Sequence, residues 1–146
     1  MRLSVLPVSY YIRYFAAQPI TSKAIHQGLQ AMDPTFKIDL GELIRGETSL
    51  GQIEVNQAGG DMFNDDLAHT LQLISSRAGG QEATPRLRNA RSIVVVNLEW
   101  GALGSETVME LATPLWSVLA GLSPGLSHWD ASGIFDGGQP LVDLSR

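Results

Sequence analysis

The stretch "SIVVVNLEW", residues 92–100, decides how the chain is expected to fold. In an extended strand Ile93 and Val95 point to one side, and Val94, Val96, Leu98 and Trp100 to the other. A sheet wet on one face alternates apolar with polar residues; this strand does not, so both its faces need cover. Upstream, Leu67, Leu71, Ile74 and Ala78 recur at helical spacing over 64–78, with Asn64 as N-cap and Asp65 and Asp66 in the first turn. Before that, Ile53 and Val55 alternate with polar residues in "QIEVN", and Phe36, Ile38 and Leu40 alternate with Lys37 and Asp39, with a turn near Gly46 between the two strands.

The N-terminal part completes a pattern. "SYYIRYFA", 9–16, reads as a strand with Tyr10, Ile12 and Tyr14 on one face and Tyr11, Arg13 and Phe15 on the other. Thr21 or Ser22 caps a helix whose stripe is Ile25, Gly28, Leu29 and Met32; Gly28 would let it approach a sheet closely. Asp33-Pro34 ends it. The order strand, helix, strand, strand, helix, strand over about 1–100 predicts a single α+β domain with a ferredoxin-like βαββαβ sandwich core. There the fourth strand, 92–100, lies at a sheet edge with helices on one face only. The extension, about 101–146, adds a helix capped by Ser105 with Val108, Leu111, Ala112, Leu115 and Leu119 on one stripe. Thr113-Pro114 either kinks this helix or separates two. Gly121 and Pro124 stop it, and 133–144 reads as a β-hairpin turning at Gly137-Gly138.

Composition narrows the function. The chain has 146 residues, 44% hydrophobic and 17% charged, enough for one packed core. A net charge of -5 disfavours nucleic acid and anionic membrane as partners. Without cysteine there is no disulfide or thiolate chemistry. No apolar run approaches the ~20 residues of a membrane span, and Arg13 interrupts the leader-like opening "MRLSVLPVSYYIRYFAAQ". The expectation is a soluble, cytoplasmic protein.

"NQAGGDMFNDD", 56–66, looks like chemistry at first. A phosphate loop needs lysine and a hydroxyl after its glycines, and a calcium loop needs oxygen ligands on alternate positions; neither pattern is met. Strand, glycine turn and capped helix account for every residue. Asp65 and His69 share a helix face at i and i+4, but a third metal ligand has no better source than the distant His128, so no metal and no cofactor is expected. Asn97 and Glu99 share a face at the end of the strong strand. "YYIRYF" resembles, through Tyr11, Arg13 and Phe15, the aromatic first strand of RNA-recognition domains. Such domains also stack bases on third-strand aromatics, and "LGQIEVN" supplies none.

Arg77, Arg86, Arg88 and Arg91 cluster around the loop "GGQEATPRLRN", a candidate patch for an acidic protein or a small anion. The favoured reading is a non-catalytic binding or protein-interaction module. Its competitor is a small-molecule enzyme drawing acid–base groups from Asp65, His69, Asn97, Glu99 and His128, which requires at least three of them to converge in one pocket. The second face of strand 92–100 is to be covered either by the C-terminal helix, with Leu111, Leu115, Trp116 and Leu119, or by a second copy; the apolar Tyr11 and Phe15 of the first strand tip the expectation to a homodimer.

Overall fold

The computed structural model describes residues 9–145; the start of the leader-like stretch lies outside them. In chain order the elements are β1 (Ser9–Ala16), α1 (Ser22–Met32), β2 (Phe36–Asp39), β3 (Glu42–Arg45), β4 (Thr48–Gln57), α2 (Asp61–Ile74) and α3 (Gly80–Arg88). They continue with β5 (Ser92–Glu99), a 3-10 turn (Gly101–Leu103), α4 (Ser105–Leu122), β6 (Gly125–Trp129), β7 (Gly133–Asp136) and β8 (Gln139–Asp143). The protein is α+β: the described residues form four α-helices and one open, antiparallel, eight-stranded sheet in the order β2-β3-β4-β5-β1-β6-β7-β8.

β5 lies inside this sheet, between β4 and β1, and not at its edge. The strand order therefore departs from the ferredoxin-like expectation, and the cause is the two-sided apolar patterning of β5. On one face Val94, Val96 and Leu98 join Ile25 and Leu29 of α1 and Val108, Ala112, Leu115 and Leu119 of α4. On the other face Ile93 and Val95 join Phe15 of β1, Phe63 and Ile74 of α2, and Ala83 and Leu87 of α3. Helices on both faces give β5 the cover it needs within one chain.

Several local expectations are corrected. β3 was hidden because it has only four residues and enters through a two-residue turn with a leucine, not the usual Asn, at its first position. α3 occupies the stretch read as a loop. Its paired glycines and internal Pro85 mask a helical i, i+4 pair, the buried Ala83 and Leu87. β6 shows no clear apolar period because one of its two buried inward positions is His128. α2 starts at Asp61 after Gly60, ahead of Asn64, and ends at Ile74, leaving Ala78 exposed beyond it.

Other expectations hold. Thr21 caps α1, its Oγ1 accepting from Ala24 N–H at 3.1 Å. Gly28 does permit a close approach, but of α4 and not of the sheet: a Cβ there would sit 2.7 Å from Val118 Cγ1. Thr113-Pro114 lies within one continuous helix, but that helix is capped by Gly104, so Ser105 is its first residue and not the expected cap. Thr113 Oγ1 donates to Met109 O at 3.1 Å. The terminal hairpin turns at Gly137-Gly138 as read.

Candidate functional site

Of the five candidate acid–base residues, His69 and His128 lie within electrostatic reach of each other, and Asn97 alone lines the cleft described below. Asp65 and His69 are exposed on α2. The neighbouring helix face, which reasoning from the pair missed, carries the sheet-facing polar groups Asp66 and Thr70. They fall on the buried stripe begun by Phe63, three and seven residues on, and that spacing is the signal that could have found them. Asp66 Oδ1 accepts from Arg13 Nε at 3.2 Å, and Thr70 Oγ1 stands 3.4 Å from His128 Nδ1. Arg13 and His128 are cross-strand partners of β1 and β6. His128 is 2% exposed. Burial first, and then the Arg13 charge, push its pKa down from 6.5 to about 4, against the opposing pull of Asp130 and Asp66. The ring is neutral at neutral pH and buried beneath α2. This is an internal polar network, which ties β1, β6 and α2 together. Among the described residues no three His, Asp or Glu side chains are grouped to hold a metal ion.

Asn97 and Glu99 belong to a different place. Register puts Asp39 opposite Glu42, Glu42 opposite Gln52, Gln52 opposite Asn97 and Asn97 opposite Tyr11. These residues form one row across five strands on a single face, about 19 Å long at the usual strand spacing. Glu54 and Glu99 flank it, two residues along β4 and β5. The face is the one that α2 and α3 pack on, yet among the described residues their buried cluster takes side chains from β1, β5, β6, β7 and β8 and none from β2, β3 or β4. The β2–β3–β4 wing is therefore bare on this side. A shallow cleft of about 360 Å³ runs along it, with Tyr11, Gln52, Glu54 and Asn97 in its lining and Leu40-Gly41 at its rim.

Three features of this face cost folding free energy. Asp39 and Glu42 are like charges directly opposite each other, a destabilising cross-strand pair. Leu40 has φ 49° and is 100% exposed, at the first position of a turn where glycine or asparagine is preferred. The left-handed backbone costs a residue of this kind about 1–2 kcal/mol. Asn97 Oδ1 is buried with no hydrogen-bond partner among the described residues, worth about 1–3 kcal/mol if left so. None of Asp39, Glu42, Glu54 or Glu99 is in an ion pair among the described residues, whereas Asp33, Asp66 and Asp136 are. Lys37 is the one lysine on the same face of the wing.

Two other concave surfaces hold polar groups that are engaged within the chain. A hollow of about 310 Å³ beside α4 is lined by Tyr14 and Trp116, with Trp129 edge-on to Trp116 at 5.2 Å. Its polar groups are engaged: Tyr14 OH donates to Ser123 O and Trp129 Nε1 to Ser127 Oγ. A wider, shallow hollow near Thr35 and Glu110 is crossed by Arg45, which donates to Asp33 Oδ2 at 2.9 Å and Leu111 O at 3.0 Å. Two of the four clustered arginines are engaged by the C-terminal hairpin. Arg86 pairs with Asp136 of β7 at 2.9 Å, and Arg77 donates to Asp143 O at 3.3 Å. Arg86 and Arg88, two residues apart on α3, leave the helix on different sides.

No protein-family model matches the chain, and no curated protein or solved structure matches it. The site is defined by its own geometry.

Proposed function

We propose that the protein is a non-catalytic protein-interaction module whose docking face is the bare side of the β2–β3–β4 wing, continued over the ends of β5 and β1. One observation carries this reading: α2 and α3 leave this half of the sheet face open, and it holds an uncommitted row of polar side chains beside the exposed Leu40 and Tyr11. A broad, shallow face suits a protein partner better than a small substrate, which is bound in enclosed pockets. Of the candidate acid–base residues only Asn97 lines the cleft, which supports a module over an enzyme, since acid–base chemistry needs its groups within hydrogen-bond reach of one reacting atom.

Photo-crosslinking in the cells that make the protein tests this. A photoreactive residue replaces Gln52 in the row or, as control, Ser117 on the exposed side of α4. Discrete protein adducts at Gln52 and not at Ser117 are expected. Adducts no more abundant at Gln52 than at Ser117, or none at Gln52, overturn the assignment of this face.

A further inference from the structure

Resting on that reading, we infer that the partner presents a basic, arginine- or lysine-rich protein surface, with an apolar recess that receives Leu40. Charge complementarity argues for it. Asp39, Glu42, Glu54 and Glu99 share one sheet face with Lys37 as the wing's lysine, and no ion pair among the described residues neutralises them; Arg13, on the same face over the Tyr11 ring at 5.3 Å, is paired with Asp66. A purely solubilising surface intersperses both signs, whereas these carboxylates are gathered on the one half-face the helices leave open. Carboxylate oxygens only accept hydrogen bonds. Arginine and lysine are donors only, so cationic side chains match both the charge and the hydrogen-bonding sense of the row.

Leu40 gives the face an apolar anchor. It is fully exposed, held in left-handed backbone and set directly beside the carboxylates, while Tyr11 at the other end of the row is 40% exposed. An apolar point surrounded by charge is how interfaces divide their work: the anchor slows dissociation and the charges steer the encounter. The row's length across five strands exceeds the span of a single amine or metal ion, which favours a protein surface as the occupant. Nucleic acid and anionic lipid would be repelled.

The test uses the whole protein and a short arginine-rich peptide as probe, with the same peptide carrying neutral citrulline as control. Amide shifts followed by NMR are expected to move in residues 39–42, 52–54 and 97–99, and to fade between about 50 and about 200 mM salt. Glu42→Gln with Glu54→Gln and Glu99→Gln is expected to weaken binding by about tenfold or more, since each tenfold corresponds to only ~1.4 kcal/mol spread over three charges. A matched variant, Glu82→Gln with Glu106→Gln and Glu110→Gln, removes the same charge from α3 and α4 and should bind within about twofold of the parent. Leu40→Asn should raise the thermal midpoint, by relieving the turn, and yet weaken binding. Equal losses in the two charge variants, or equal binding of the citrulline peptide, overturn the inference. A partner crosslinked at Gln52 that is neutral or acidic would also overturn it while leaving the docking face itself in place.

Discussion

His128 is a histidine that must stay neutral for the fold to close over it. Its folded-state pKa, about 4, lies below its ordinary 6.5, because burial and the Arg13 guanidinium both oppose the charged ring. As the pH falls, the unfolded chain takes up this proton first. The stability linked to His128 is therefore complete above about pH 6.5 and is lost as the pH falls towards 4, about 3 kcal/mol in all. The charged and titratable groups facing the ring are Arg13, Asp66, His69 and Asp130. Denaturant unfolding across this interval should show the parent losing stability steeply and His128→Gln losing about 2 kcal/mol less. Parallel curves would mean that the ring is not held neutral. None of this was legible at position 128 alone, where the sequence offered a histidine without a period. The burial comes from α2, more than fifty residues away along the chain.

At the scale of elements, the α1–α4 contact turns on one missing side chain. Gly28 faces Val118, and α4 comes so close that even a methyl group would meet Val118 Cγ1 at 2.7 Å. Two effects compete when alanine replaces this glycine. Helix propensity favours it by about 1 kcal/mol, while overpacking costs about 1–3 kcal/mol because the β-branched valine has little rotamer freedom. Gly28→Ala is thus expected to destabilise the parent by about 1 kcal/mol and to stabilise a Val118→Ala background by up to about 1 kcal/mol. Chemical denaturation of the four proteins measures both. The same sign in both backgrounds would show that the helices adjust their separation freely. The stripe, the glycine and the Thr21 cap were all readable in the sequence. Which surface the glycine admits was not, since a helix face does not name its neighbour.

The whole molecule replaces the reason for a dimer with a different question about its surface. β5 was expected to need a second copy, but α1 and α4 cover one face and α2 and α3 the other. The bare wing that remains is acidic and would repel its own copy, most strongly at low salt where charges are least screened. Light scattering at micromolar concentration and low salt should therefore return one chain, 15.8 kDa. A doubled mass would show the wing pairing with itself and would remove the ground for a basic partner.

What the sequence by itself determined are the features written within a few residues of one another. The two apolar sides of 92–100, the capped stripe of α1 through Ile25, Gly28 and Leu29, the alternation of Phe36 and Ile38 and the hairpin at Gly137-Gly138 all depend on local period and turn chemistry and are in the structure, whereas Met32 and Leu40, read on the same apolar sides, are exposed. Short or masked elements escaped: β3 behind its leucine turn, α3 behind glycines and a proline, and β6 behind a histidine. Only the tertiary structure decided the strand order, the burial of His128 with Arg13 and Asp66, and the row from Asp39 to Tyr11. The physical reason is distance along the chain. Periodicity tells each residue which side it takes, but whether that side meets a helix or solvent depends on segments tens of residues away that pack there. The wing's carboxylates look like any exposed strand residues until α2 and α3 are seen to pack elsewhere and leave them together on one open face.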